Sequence, residues 1–239
     1  VVLAVAEGDL GAEEPLVAGE LKMKRKLKFS DEQLKKIEAS VRDAEKNTSG
    51  EIVPMIVFAS NDYWWTHWVW GFIGLGIVSL ILCAFSLESP WRFHVFEFLL
   101  WQLTGFASGF FLALFPPLKR FLIPKSWASY HVERQSMANF MGAGLNNTAG
   151  RTGILIYLSQ LERQVVILAD KGINEKVPND HWKTLVAEIV EGVHVGKPLD
   201  ALMAVISKAG TKLSQDFPKQ RDDKNELSNE LRTRHEDRD

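Results

Sequence analysis

Two stretches of the chain lack any alternation between polar and apolar positions. Tyr63 to Leu87 runs 25 residues, and Phe98 to Leu118 another 21, without Asp, Glu, Lys or Arg. About 20 apolar residues in a helix, rising ~1.5 Å each, cross a hydrocarbon layer of roughly 30 Å. Both stretches therefore predict transmembrane helices, with spans near 64–87 and 98–118 joined by a short turn between Glu88 and Glu97. The competing reading is a pair of buried helices in a soluble core, which are usually shorter. Gly105 and Gly109, with Gly71, Gly74 and Gly76 opposite, offer small residues for close helix approach.

The pattern outside these spans is that of a folded domain. Ser30-Asp31-Glu32-Gln33 fits a capping box, and Leu34, Ile37, Val41 and Ala44 follow at helical spacing. Glu51 to Ala59 is apolar on both faces, as a strand covered on both sides requires, and Pro54 predicts an edge position or a bulge there. Trp127 to Gly142 reads as a helix that stops at Gly142-Ala143-Gly144. Gly153 to Ser159 and Gln164 to Ala169 read as a β-hairpin about the turn Gln160 to Arg163. Two more helices follow, one from Asn179 or Asp180 and one with Pro198 in its first turn, ending before Pro218.

The ends predict no fold of their own. Residues 1–26 read as a disordered or non-native extension, with Met23 resembling a natural start. Pro218 to Asp239 holds 6 basic and 7 acidic residues among 22, with only Leu227 and Leu231 as apolar anchors, and reads as a disordered tail. The basic run Lys24, Arg25, Lys26, Lys28 suits either an anionic leaflet or plain solvation. Residues 27–62 and 119–217 then form one α/β domain interrupted by the hairpin 63–118. An even number of spans lets the two parts meet on one side of the membrane.

Composition sharpens this picture. Six of the eight tryptophans lie between Trp64 and Trp101, as interfacial indoles do. The turn between the spans has only Arg92, whereas Lys119, Arg120 and Lys125 follow the second span. Positive-inside asymmetry then puts both domain parts in the cytoplasm. A net charge of −2 gives no footprint for nucleic acid, and a single cysteine, Cys83, excludes an intramolecular disulfide framework. Neither span carries an ionisable group beyond His67 at the rim, which disfavours transport. Phosphate-loop, nucleophile-elbow and zinc-protease motifs are absent from the sequence.

The order Ser30-Asp31-Glu32, Thr48-Ser49-Gly50-Glu51-Ile52-Val53, Arg151 to Tyr157 and Glu162 to Ile173 resembles the TPM domain family. That family includes a thylakoid-lumen phosphatase-like protein of photosystem II repair and many bacterial membrane proteins. The resemblance covers residues 30–217 apart from the hairpin. It implies a small mixed sheet flanked by helices, divalent-cation binding in some members and weak acid phosphatase activity in others. Where many members carry a Gly-Tyr-Gly-Leu-Glu type loop, this chain has Asp170-Lys171-Gly172-Ile173-Asn174, with Asp180 matching the acidic position that follows.

Asp170, Asn174 and Asp180 lie at and after a strand end, where α/β sheets present ligands, and Glu51 begins a neighbouring strand. Such oxygens suit Ca²⁺ or Mg²⁺; equally, Asn179 or Asp180 caps its helix and Asp170 makes a turn hydrogen bond. Arg151 and Arg163 flank the first hairpin strand as anion-binding candidates, against pairing with Glu162 or solvation. His131 and Glu133 face different sides of a helix, and His181 and His194 lack a third ligand. The expected protein is a multi-pass bacterial inner-membrane protein whose TPM-like domain works as a non-catalytic interaction or assembly factor. Its partners would be the bilayer, another membrane protein or complex, and a second copy of the chain. The alternative is a weak metal-dependent acid phosphatase.

Overall fold

The computed structural model describes residues 16–21, 27–88, 94–219, 227–228 and 230–234. The chain separates into two compact units, Val1–Ser60 with Ser129–Asp239, and Asn61–Ala128.

The first unit is a mixed α/β fold built on a five-stranded sheet. Its strands are β1 (Leu16–Glu20), β2 (Glu51–Val57), β3 (Gly153–Ser159), β4 (Gln164–Ala169) and β5 (Arg232–Arg234), in the order β1-β4-β3-β2-β5. β3 and β4 form the expected antiparallel hairpin, with Ser159 opposite Gln164. β2 runs parallel to β3, with Glu51 opposite Gly153 and Val57 opposite Ser159. A parallel neighbour needs a crossover, and the helix α5 (Lys125–Gly142) lies in that connection. Gly144 adopts φ +80° after α5, a left-handed geometry that stops the helix without steric cost.

Every residue of β2 and β3 is buried, because the sheet is covered on both faces. The pleat sends Ile154, Ile156 and Leu158 to one face. There they meet Ile37 and Val41 of α1 (Asp31–Glu45), Trp182, Leu185 and Ile189 of α7 (Asn179–His194), and Leu202, Val205 and Ile206 of α8 (Pro198–Asp216). Leu155 and Tyr157 go to the other face, against Val132 and Phe140 of α5 and against Leu145. Ser30 caps α1 with a full capping box to Gln33. Pro54 lies one residue before the pairing with β5 begins at Met55, so it stands where β2 is a sheet edge, and the register with β3 contains no bulge.

Both ends contribute strands, contrary to the sequence expectation. β1 pairs antiparallel with β4, and its Val17, together with Leu21 just beyond it, is buried in the core under α7. Each such burial stabilises by about 1.5–3 kcal/mol, enough to order a short edge strand despite its acidic surroundings. In the tail, Arg232–Arg234 pairs with Met55–Val57, while Leu231 packs on one core cluster and Leu227 on the other. The disordered reading therefore fails at both places. Residues 1–15, 22–26, 220–226, 229 and 235–239 lie outside the described residues.

The second unit is a helical hairpin of α2 (Trp65–Glu88) and α3 (Val95–Leu112), followed by the short α4 (Pro116–Leu122). Both helices are long and apolar enough to cross a membrane, yet only 11% of each hydrophobic window is buried. Glycines form the seam. A methyl group on Gly74 would collide with the Gly105 carbonyl, and one on Gly109 with the Trp70 carbonyl; Gly76 faces open space. α3 ends at Leu112, six residues before the expected limit, because prolines at 116 and 117 cannot extend a helix that reaches them. It begins early, at Val95, with Glu97 accepting from the His94 amide inside the first turn. Residues 119–128 belong to this unit rather than to the α/β domain, since the Trp70 indole donates to the Leu118 carbonyl (3.1 Å) and Trp65 packs on Trp127.

Candidate functional site

The short helix α6 (Lys171–Asn174) follows β4 directly, and Asp170 is its N-cap, accepting from the Lys171 amide at 2.8 Å. The Asp170 amide donates to the Gly153 carbonyl, which fixes the turn beside the start of β3. Asp170 is fully buried, and the half-exposed Arg151 guanidinium pairs with its Oδ1 at 3.0 Å. The other arm of that guanidinium donates to the Asn146 carbonyl at 2.8 Å. Asn174 donates its Nδ2 to the Ala169 carbonyl, which sets the amide orientation and turns Oδ1 away. Asp170 Oδ2, Asn174 Oδ1 and Asn146 Oδ1 are all buried side-chain oxygens without a hydrogen-bond donor. Backbone carbonyls of Gly150 and Arg151 crowd Gly172, where a side chain would not fit.

This arrangement keeps two of the four expected metal ligands on one turn, Asp170 and Asn174, and Arg151 ties the loop of Asn146 to that turn through the Asn146 carbonyl. Asp180 does not join them. It is exposed and paired with Lys183 at 2.9 Å, and Pro178, rather than Asn179 or Asp180, is the N-cap of α7. Glu51 starts β2 at the same edge of the sheet and is buried. Among the described residues no three acids, histidines or cysteines converge as a metal site. The remaining donors are all oxygens, as Ca²⁺ and Mg²⁺ prefer, but the single carboxylate is already neutralised by Arg151. The set fits a hard cation in kind and opposes tight binding in charge.

Asp170 also lies at the end of the sheet opposite to the one where parallel strands present ligands. Ligands in α/β sheets sit beyond the carboxyl ends of parallel strands. Because β4 runs antiparallel, Asp170 lies where β2 and β3 begin. Their carboxyl ends carry a different cluster, missed in the sequence because its members are far apart in the chain. The Ser60 amide donates to Glu162 Oε1 at 2.8 Å, and Ser60 Oγ lies 3.0 Å from the Tyr157 hydroxyl and 3.1 Å from Ser159 Oγ. Ser159 in turn donates to Glu162 Oε2. Ser60, Ser159, Tyr157 and Glu162 are all buried. The chain of hydroxyls ends on a carboxylate, so the network binds the exit of β2 to the turn after β3.

Arg151 and Arg163 cannot hold one anion between them. They lie beyond opposite ends of β3, whose seven residues span roughly 20 Å. Arg163 occupies the hairpin turn at φ +56°, and its carbonyl accepts from the Leu21 amide. His181 and His194 sit near opposite ends of α7, also about 20 Å apart. His181 resists protonation: burial holds its pKa below the ordinary value and nearby Lys212 adds to that, with Asp216 opposing. His194 lies 3.9 Å from Glu191 on the same helix.

The structure is similar to the NMR structure of the BA42 protein from the psychrophilic bacterium Bizionia argentinensis, at 25% sequence identity and a TM-score of 0.55. The match covers 88% of this chain and 99% of that one. No family model matches the chain, and no curated protein does.

Proposed function

We propose that this chain is a membrane-anchored, TPM-like α/β domain, tethered by its helical hairpin, that serves as a non-catalytic interaction or assembly factor for another membrane protein or complex. The observation that carries the anchoring is the inside-out distribution in the hairpin. Phe72, Ile77, Leu80, Phe85, Leu99 and Leu103 are half or more exposed. The polar contacts point inward, with Gln102 Nε2 donating to Ser79 Oγ at 2.8 Å and His67 Nδ1 at 3.2 Å from the Phe110 carbonyl. A soluble core helix buries its apolar side chains; these helices turn Ser79, Gln102 and His67 toward each other, partly buried, and leave apolar side chains outward for lipid.

A cytoplasmic position for the domain at a bacterial inner membrane belongs to this reading, supported by Lys119, Arg120 and Lys125 after the second span against Arg92 alone in the turn between the spans. The Asp170–Asn174–Asn146 oxygens would hold Ca²⁺ or Mg²⁺ when such an ion is bound, supplying charge neutralisation that alters the surface around Arg151. With one carboxylate, the affinity falls at the weak end of the oxygen-site range, about 10⁻⁴–10⁻³ M.

Crosslinking in intact membranes, followed by detergent solubilisation and affinity capture of the full chain, tests the interaction role. A discrete membrane-protein partner recovered with the wild-type chain supports it. Capture of lipid alone contradicts it, as does hydrolysis of an aryl phosphate that needs a divalent ion and is lost in Asp170→Ala.

A further inference from the structure

We propose that the base of the hairpin is a binding collar for anionic phospholipid headgroups, formed by Lys119, Arg120 and Lys125 with Trp64, Phe121 and Trp127. The inference rests on the membrane reading of the hairpin and goes beyond it, because anchoring needs only the apolar spans.

The collar is built from both arms of the helical hairpin. The helices are antiparallel, so the start of α2 lies beside the end of α3, where Gly109 meets the Trp70 backbone and His67 packs on Phe110 at 5.1 Å. α4 is held at this end by the Trp70 indole on the Leu118 carbonyl. The first turn of α5 is held there by the Trp65–Trp127 contact, 6.1 Å between ring centroids. The prolines at 116 and 117 separate α3 from α4, so the three cations follow directly on the end of the second span.

What this segment exposes is amphipathic in the manner of a headgroup contact. Phe121 is 81% exposed, Trp64 64% and Trp127 54%. Indoles and rings of this kind favour the glycerol level of a bilayer. Lys125 is exposed, and Lys119 and Arg120 are partly so. From Phe98 to Val132 the sequence holds no Asp or Glu, and Asp62 alone brings an acid to this end of the unit. The far end has the opposite sign, with Glu88 and Glu97 against Arg92. Three cations beside an aromatic belt, at the edge of a lipid-facing surface, complement phosphate groups that carry net negative charge. Neutral headgroups offer no such excess.

Native mass spectrometry of the full chain, released from nanodiscs of phosphatidylcholine mixed with phosphatidylglycerol, tests the proposal. The wild type is expected to retain phosphatidylglycerol over phosphatidylcholine. The triple variant Lys119→Gln/Arg120→Gln/Lys125→Gln is expected to lose that enrichment, with affinity falling roughly fivefold per cation removed. Arg92→Gln at the far end should leave it unchanged. Resistance to alkaline carbonate extraction is read on the same proteins. Wild type that stays integrated but shows no enrichment, or enrichment that survives the triple variant in an integrated chain, overturns the collar alone. A wild-type chain released by carbonate overturns the membrane reading and the collar with it.

Discussion

Arg151 determines how the acidic turn behaves. Its guanidinium is the cation beside a carboxylate that has no access to water, and it simultaneously ties down the Asn146 loop. Arg151→Ala leaves Asp170 buried without its counter-charge. Because Arg151 is half exposed, the expected loss is about 2 kcal/mol, below the 3–5 kcal/mol typical of breaking a fully buried pair. Millimolar Ca²⁺ should restore part of it, since removing the guanidinium removes the charge that opposes a cation. Thermal unfolding of the full chain in detergent, with chelator and with Ca²⁺, checks both statements. Asp170 and Asn174 were legible in the sequence because a strand end and a short helix place them together locally. Asn146, and the Ser60–Tyr157–Ser159–Glu162 network, were not, because their meeting depends on how distant strands align.

His181 gives a second prediction at this scale. Its pKa is lowered in the folded chain, chiefly by desolvation, so between that value and the ordinary 6.5 the unfolded chain binds more protons. Stability is full above about pH 6.5 and falls as pH drops through that window, with the sign fixed by linkage. The denaturant midpoint should decline below pH 6.5 in the wild type and decline less in His181→Gln.

At the scale of elements, the central strands announced themselves and the edge strands did not. β2, β3 and β4 are continuous apolar runs because both faces are covered, and such runs are visible in a sequence. β1 and β5 are short and contain Glu20 or Arg232 and Arg234, since an edge strand needs only part of its surface to be apolar. Their pairing comes from the neighbour's free hydrogen-bonding edge, which no local pattern records. A chain shortened to begin at Met23 lacks β1 and with it the burial of Val17 and Leu21. The expected loss is about 3–6 kcal/mol, and the amides of β4 that face β1 should lose hydrogen-exchange protection. Unchanged protection in β4 would show that β1 contributes nothing to the sheet. The helical unit extends past its expected boundary for a related reason: Trp70 and Trp65 hold residues 118 and 127 through contacts that bridge some fifty positions or more.

On the scale of the whole molecule, the membrane anchor requires the apolar surface of the hairpin to face lipid. Ile77, in the middle of α2, is 53% exposed in the isolated chain. Ser207, on α8, is exposed on the α/β domain. In a Cys83→Ser background, single cysteines at these two positions can be challenged with a water-soluble maleimide in inside-out membrane vesicles, where the cytoplasmic face is outermost. The predicted result is rapid labelling of Ser207→Cys and none of Ile77→Cys until the bilayer is dissolved and the chain denatured. Labelling of Ile77→Cys in intact vesicles at the rate of Ser207→Cys would contradict the membrane hairpin and the function built on it.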